Sequence, residues 1–90
     1  MNDVTFTRIG FEEYTYWINQ DKKTLKRINL LIQDIQRNGL MNGIGKPEPL
    51  KHDRQGLYSR RIDDENRLVY CADELQNIKI ISCRGHYDDK

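Results

Sequence analysis

Residues 21 to 39 read DKKTLKRINLLIQDIQRNG, and the periodicity of this stretch decides how the rest of the chain is arranged. Leu25, Ile28, Leu31, Ile32 and Ile35 recur every three or four residues, which at 3.6 residues per turn gathers them into one stripe. Asp21 stands where an N-cap is needed, and Asn38-Gly39 stands where the helix must stop, because glycine accepts the left-handed backbone of a helix end. The spacing predicts an amphipathic helix between these two marks. Its other face carries Lys22, Lys23, Lys26, Arg27, Asp34 and Arg37, read as a solvated and mainly basic surface.

Upstream, Val4 to Phe6 predicts a short edge strand, and Phe11, Tyr14, Trp17 and Ile18 after Gly10 predict a first helix. Downstream, both prolines and four of the six glycines fall between Gly39 and Gly56, so residues 39 to 56 are expected to form one loop. Three strand-like runs follow, Leu57 to Ile62, Arg67 to Ala72 and Ile78 to Arg84, separated by polar turns. Antiparallel pairing is the simplest arrangement. The expected fold class is α+β: two amino-terminal helices packed on a small antiparallel β-sheet, within one domain spanning residues 1 to 90.

Composition narrows the function. Ninety residues allow one core, and 37% hydrophobic residues with several aromatics argue against disorder. No apolar run approaches the roughly 20 residues that a membrane span requires, and MNDVTFTRIG lacks a basic region followed by an apolar signal segment. The chain is expected in the cytosol, away from membranes. A net charge of +1 does not by itself announce a nucleic-acid ligand, so the positions of the charges must carry that argument. Cys71 and Cys83 show no metal-site spacing and sit in apolar runs, so they read as reduced, buried thiols; no metal and no cofactor are expected.

Alternation along the strands sorts the polar residues. In the first run Ser59 and Arg61 share one face and Tyr58, Arg60 and Ile62 the other, so only one of the two neighbouring arginines can line a given cleft. In the second run Arg67, Val69 and Cys71 share a face. Glu48 lies between Pro47 and Pro49, whose rings stiffen the backbone and aim its carboxylate. Glu48, Lys51, Arg61, Arg67, His86 and Tyr87 together have the types suited to cutting RNA through its own 2′-hydroxyl: a carboxylate to take a proton, arginines to neutralise charge at phosphorus, an imidazole to protonate the leaving oxygen. Each also has an ordinary reading. Glu48 could be a solvated loop carboxylate, His86 an incidental tail residue, Tyr87 a cap on the core, and Arg61 and Arg67 partners of Asp63, Asp64 or Glu65.

Taken together, TYW at 15 to 17, GKPEPLKH at 45 to 52, YSRRI at 58 to 62, NRLVY at 66 to 70 and RGHY at 84 to 87 resemble the YoeB branch of the RelE/ParE toxin superfamily over nearly the whole chain. The resemblance implies a microbial-RNase-like fold and cleavage of messenger RNA in the ribosomal A site, which stops translation. It implies Glu48 as general base, His86 as general acid, Arg67 as the arginine facing the transition state, Lys51 and Arg61 as phosphate contacts, and Tyr87 as the aromatic that orients the substrate. It also implies a YefM-like antitoxin, the ribosome with its mRNA, and a second copy of the toxin as partners. The alternative function is a non-catalytic module that blocks ribosomes or RNA through the same cleft; a gyrase-directed toxin is disfavoured by the full set of Glu, Arg and His.

Overall fold

The structure is a computed structural model that describes residues 2–86. Strand β1 (Val4–Phe6) leads into helix α1 (Arg8–Gln20), and the Thr7 hydroxyl caps that helix by accepting the Gly10 N–H at 3.0 Å. A single residue, Asp21, joins α1 to helix α2 (Lys22–Asn38). Its N–H closes α1 on the Trp17 carbonyl at 3.0 Å, while its carboxylate opens α2 by accepting the Lys23 N–H at 3.1 Å and the Thr24 hydroxyl at 2.8 Å. These bonds, the one from Thr24 foremost, hold the Asp21 carboxyl below its ordinary pKa against a smaller opposing effect of burial. Gly39 ends α2 at φ +94°, as its position after Asn38 predicts.

Gly10 does not precede the first helix but lies in its first turn. A Cβ there would stand 2.5 Å from the Ile80 carbonyl oxygen, so the missing side chain is what lets α1 settle on the sheet backbone. The predicted α1 stripe is also only partly inside: Trp17 is buried, whereas Phe11 and Ile18 are 56% and 42% exposed.

Strands β2 (Glu48–Pro49), β3 (Tyr58–Arg61), β4 (Arg67–Ala72) and β5 (Ile78–Ser82) complete a five-stranded sheet in the order β1-β5-β4-β3-β2. The expected antiparallel pairing holds from β3 through β5 and β2 adds a further antiparallel strand at the edge, but β1 runs parallel to β5, so the sheet is mixed. Alternation specifies a strand's faces and not its direction; the long connection through both helices supplies the crossover that a parallel pair requires. The expected loop over 39 to 56 is likewise interrupted, by β2 and by a 3₁₀ turn at His52–Arg54. Pro49 is tolerated in β2 because it is an edge strand, where a missing N–H leaves no ladder bond unmade.

One sheet face and the two helices enclose the core of Trp17, Ile28, Leu31, Ile32, Ile35, Leu68, Tyr70, Ile78, Ile80 and Cys83, with Ile62. Arg60 belongs to this face and is completely buried. Its guanidinium donates to the Asp34 carboxylate, to the Tyr70 hydroxyl at 2.9 Å, and to the carbonyls of Gly39, Asn42 and Ile44 at 2.7 to 2.9 Å. Asp34 is therefore not part of a purely solvated face: it also accepts the Ile44 N–H at 3.0 Å and pins the chain leaving α2. Burial pushes its carboxyl pKa up, and the bonds from Ile44, Arg60 and Asn38 outweigh that effect and leave it lowered. Gly43, at φ +119°, passes so close to this pair that a Cβ would collide with the Asp34 carboxylate.

Candidate active site

On the opposite face of β2, β3 and β4, exposed Glu48 and Arg61 adjoin buried Ser59, Val69 and Arg67. Glu48 is paired with Ser59, Ser59 with Val69, and Arg61 with Arg67, so strand register alone carries an acid and two arginines to one patch. Across the bend before β2, the Arg61 N–H donates to the Gly45 carbonyl at 2.6 Å and holds Lys46 beside the same patch. The result is a cavity of about 430 Å³ lined by Lys46, Pro47, Glu48, Ser59, Arg61, Arg67 and His86. Three fixed cations against one carboxylate make it locally basic although the chain as a whole is nearly neutral. A site with that balance accommodates a phosphodiester and leaves one base among the cations.

Arg67 is buried, and its guanidinium donates to the carbonyls of Asp63 at 2.8 Å and Asn66 at 3.2 Å. Asp63 in the adjoining turn has other duties: its carboxylate accepts the backbone N–H groups of Glu65 and Asn66 at 2.8 and 2.7 Å. The cross-strand ion pair considered for Arg67 is thus replaced by bonds to neutral carbonyls, which orient the guanidinium without neutralising it. Arg61 is exposed and its backbone carbonyl accepts from the Arg27 guanidinium at 3.1 Å, joining the edge of the cavity to the basic face of α2.

His86 reaches the cavity because the chain beyond β5 turns across the start of β4. There the Arg67 N–H donates to the Gly85 carbonyl at 3.0 Å. This end belongs to an interior strand, since β5 lies between β1 and β4. Two residues before His86, the Arg84 guanidinium lies over the Tyr16 ring, 3.8 Å from its centre.

Glu48, Arg61, Arg67 and His86 are therefore brought together. Lys51 is not among the lining residues: it is exposed and stands at the start of the 3₁₀ turn, where its carbonyl accepts the Arg54 N–H at 3.1 Å. Tyr87 lies outside the described residues. Lys46 and Ser59 were not singled out from the sequence. The signal for Ser59 was its alternation with Arg61; Lys46 left none, because strand alternation does not carry through its backbone. Lys46 also adopts φ +52°, an uncommon backbone for a side-chain-bearing residue and one that recurs at functional sites. Among the described residues no group of three or more His, Cys, Asp and Glu side chains is placed to hold a metal.

The fold and this site define a class: the structure of a YoeB–YefM complex from Staphylococcus aureus superposes with a TM-score of 0.89 at 49% identity, covering 97% of this chain and 99% of that one. The model of the YoeB-like toxin of bacterial type II toxin-antitoxin systems matches residues 6–87. Toxin YoeB of Streptomyces coelicolor is 51% identical over 84 residues, covering 93% of this chain and 98% of the relative. Toxin YoeB of Escherichia coli K12 is 47% identical over 78 residues, covering 87% and 90%. The chain belongs to the YoeB-like toxin family of bacterial type II toxin–antitoxin systems.

Proposed function

We propose that this toxin is a metal-independent endoribonuclease that cuts messenger RNA in the ribosomal A site and so inhibits translation in the cytosol. The observation that carries the reading is the convergence of Glu48, Arg61, Arg67 and His86 on one open cavity. Glu48 takes the proton from a ribose 2′-hydroxyl, and the freed oxygen attacks the adjacent phosphorus. The bond to the 5′-oxygen breaks, and protonated His86 delivers a proton to that leaving oxygen, giving a 2′,3′-cyclic phosphate and a 5′-hydroxyl. Arg67, held by backbone carbonyls, neutralises the charge that grows on the non-bridging oxygens. Arg61 and Lys46 hold the flanking phosphates, Lys51 contacts the RNA farther along the chain, and Tyr87 stacks on a base.

Ribosome dependence accords with a net charge of only +1, which gives little general attraction to free RNA. The Staphylococcus aureus relative has been solved in complex with YefM and as a dimer. By that likeness the present toxin takes a YefM-like antitoxin and a second copy of itself as partners. Primer extension on translating ribosomes tests the reaction. Glu48→Ala and His86→Ala are each expected to slow cleavage by about 10² to 10⁴-fold. Full translational inhibition by both variants without cutting would replace the enzyme with a non-catalytic blocking module, and equal cutting of free RNA would remove the role of the ribosome.

A further inference from the structure

We propose that Asn66 is a positioning residue that couples Arg67 to the tail carrying His86; the inference rests on the reaction proposed above. The tail is held in two stages. Helix α1 takes the first: the Trp17 indole N–H donates to the Cys83 carbonyl at 2.9 Å, and the Glu13 carboxylate accepts the Cys83 N–H at 2.8 Å. With Arg84 over Tyr16, residues 83 and 84 are fixed to the helix. The next residue is Gly85, at φ +83°, and a glycine directly before His86 is a swivel unless its peptide groups are tied down.

Asn66 and Arg67 tie them. The Asn66 Oδ1 accepts the Gly85 N–H at 2.7 Å, and the Arg67 N–H donates to the Gly85 carbonyl at 3.0 Å. Asn66 is 9% exposed, and its Nδ2 is itself fixed on the two carboxylate oxygens of Asp63 at 3.1 and 3.2 Å. Its own carbonyl accepts from the Arg67 guanidinium at 3.2 Å. One residue thus orients the arginine through its backbone and the histidine-bearing segment through its side chain.

The amide is chemically specific for this place: one end must accept from a peptide N–H while the other donates to a carboxylate. An aspartate would set two carboxylates side by side, and an alanine would leave both the Gly85 N–H and Asp63 short of a partner.

The test uses the full-length chain with Asn66→Ala, Asn66→Asp and the exchanged pair Asp63→Asn/Asn66→Asp. Single-turnover cleavage on programmed ribosomes is expected to fall about 10- to 100-fold at saturating toxin for Asn66→Ala, with the half-saturating concentration unchanged, since misplacement by an ångström is enough for such a loss. By NMR, the Gly85 amide should exchange faster and the His86 ring resonances should move, while the Trp17 indole resonance stays in place. Asn66→Asp should behave likewise, and the exchanged pair should recover most of the rate. Unchanged Gly85 and His86 signals in Asn66→Ala overturn the coupling, as does a loss seen only as a higher half-saturating concentration. A wild-type chain that cuts nothing removes the proposed reaction instead, and the NMR comparison then judges the Asn66 link alone. If Asn66→Ala fails to fold, the exchanged pair against Asn66→Asp decides: no recovery in the pair overturns the proposal.

Discussion

Arg61 and Arg67 stand directly opposite each other on β3 and β4, two cations at one cross-strand position on the open face of the sheet. Like charges in that relationship oppose folding. Such a pair is understandable as an anion site whose ligand is absent during folding. Replacing the exposed Arg61 with alanine is expected to raise stability by roughly 0.5 kcal/mol in urea melts while weakening RNA engagement and flattening its salt dependence. An Arg61→Ala variant that is both less stable and fully active would contradict this account.

Arg67 differs from Arg61 in being buried and aimed by carbonyls, so under the proposed reaction its effect is expected in the cleavage step and not in capture. Arg67→Ala is expected to lower the single-turnover cleavage rate about 10²- to 10³-fold, the loss typical of a preorganised donor to developing charge. Arg67→Lys should recover little, because an ammonium group cannot reproduce the planar fork. Rates on programmed ribosomes for the three proteins provide the check.

The Asp34–Arg60 pair is a structural counterpart on the core face. Asp34→Ala leaves a fully buried guanidinium without its countercharge and is expected to destabilise the fold by about 3 kcal/mol. Because the Asp34 carboxyl is lowered in the folded chain, its contribution is present above the ordinary pKa of 3.8 and is lost as pH falls through the lower folded value. Chemical denaturation as a function of pH should therefore show a loss of stability below about pH 4 that is smaller in Asp34→Asn.

Cys83 is fully buried in the core, and burial, aided by the nearby Glu13 carboxylate, pushes its thiol up to about 12. An acid whose pKa rises on folding supports the folded state below its unfolded pKa, near 9, and loses that support as pH climbs toward 12. Iodoacetamide at pH 8 should leave Cys83 unmodified in the native protein and label it in urea. Native labelling at the unfolded rate would show that helix α1 does not shield it.

Gly10 provides a steric test of how α1 sits on the sheet. Gly10→Ala improves helix propensity but places a methyl against the Ile80 carbonyl, so a net destabilisation of about 1 to 3 kcal/mol is expected from overpacking. Since α1 also holds Cys83, the His86 resonances should shift in this variant while those of Asp34 and its neighbours remain.

Much of this was legible in the amino-acid sequence because it is local. The Asp21 cap, the Leu25 to Ile35 stripe, the Gly39 stop and the second strand at Arg67 to Ala72 depend on residues within a turn or two of one another, where helical and strand periods leave a direct mark. The type of each site residue was also readable, since carboxylate, guanidinium and imidazole chemistry belongs to the side chain itself. The antiparallel pairing of β3, β4 and β5 was expected as well, but which face of the sheet the helices cover, and which distant segments join it, was not. Alternation separated Arg60 from Arg61 but did not say which faces the helices; only sheet packing buries the one with Asp34 and leaves the other over the cleft. Alternation is equally silent on the parallel β1–β5 pair. The meeting of Glu48 with Arg67, and the entry of Lys46 in place of Lys51, follow from pairing between segments far apart in the chain, and that pairing exists only once the core has closed.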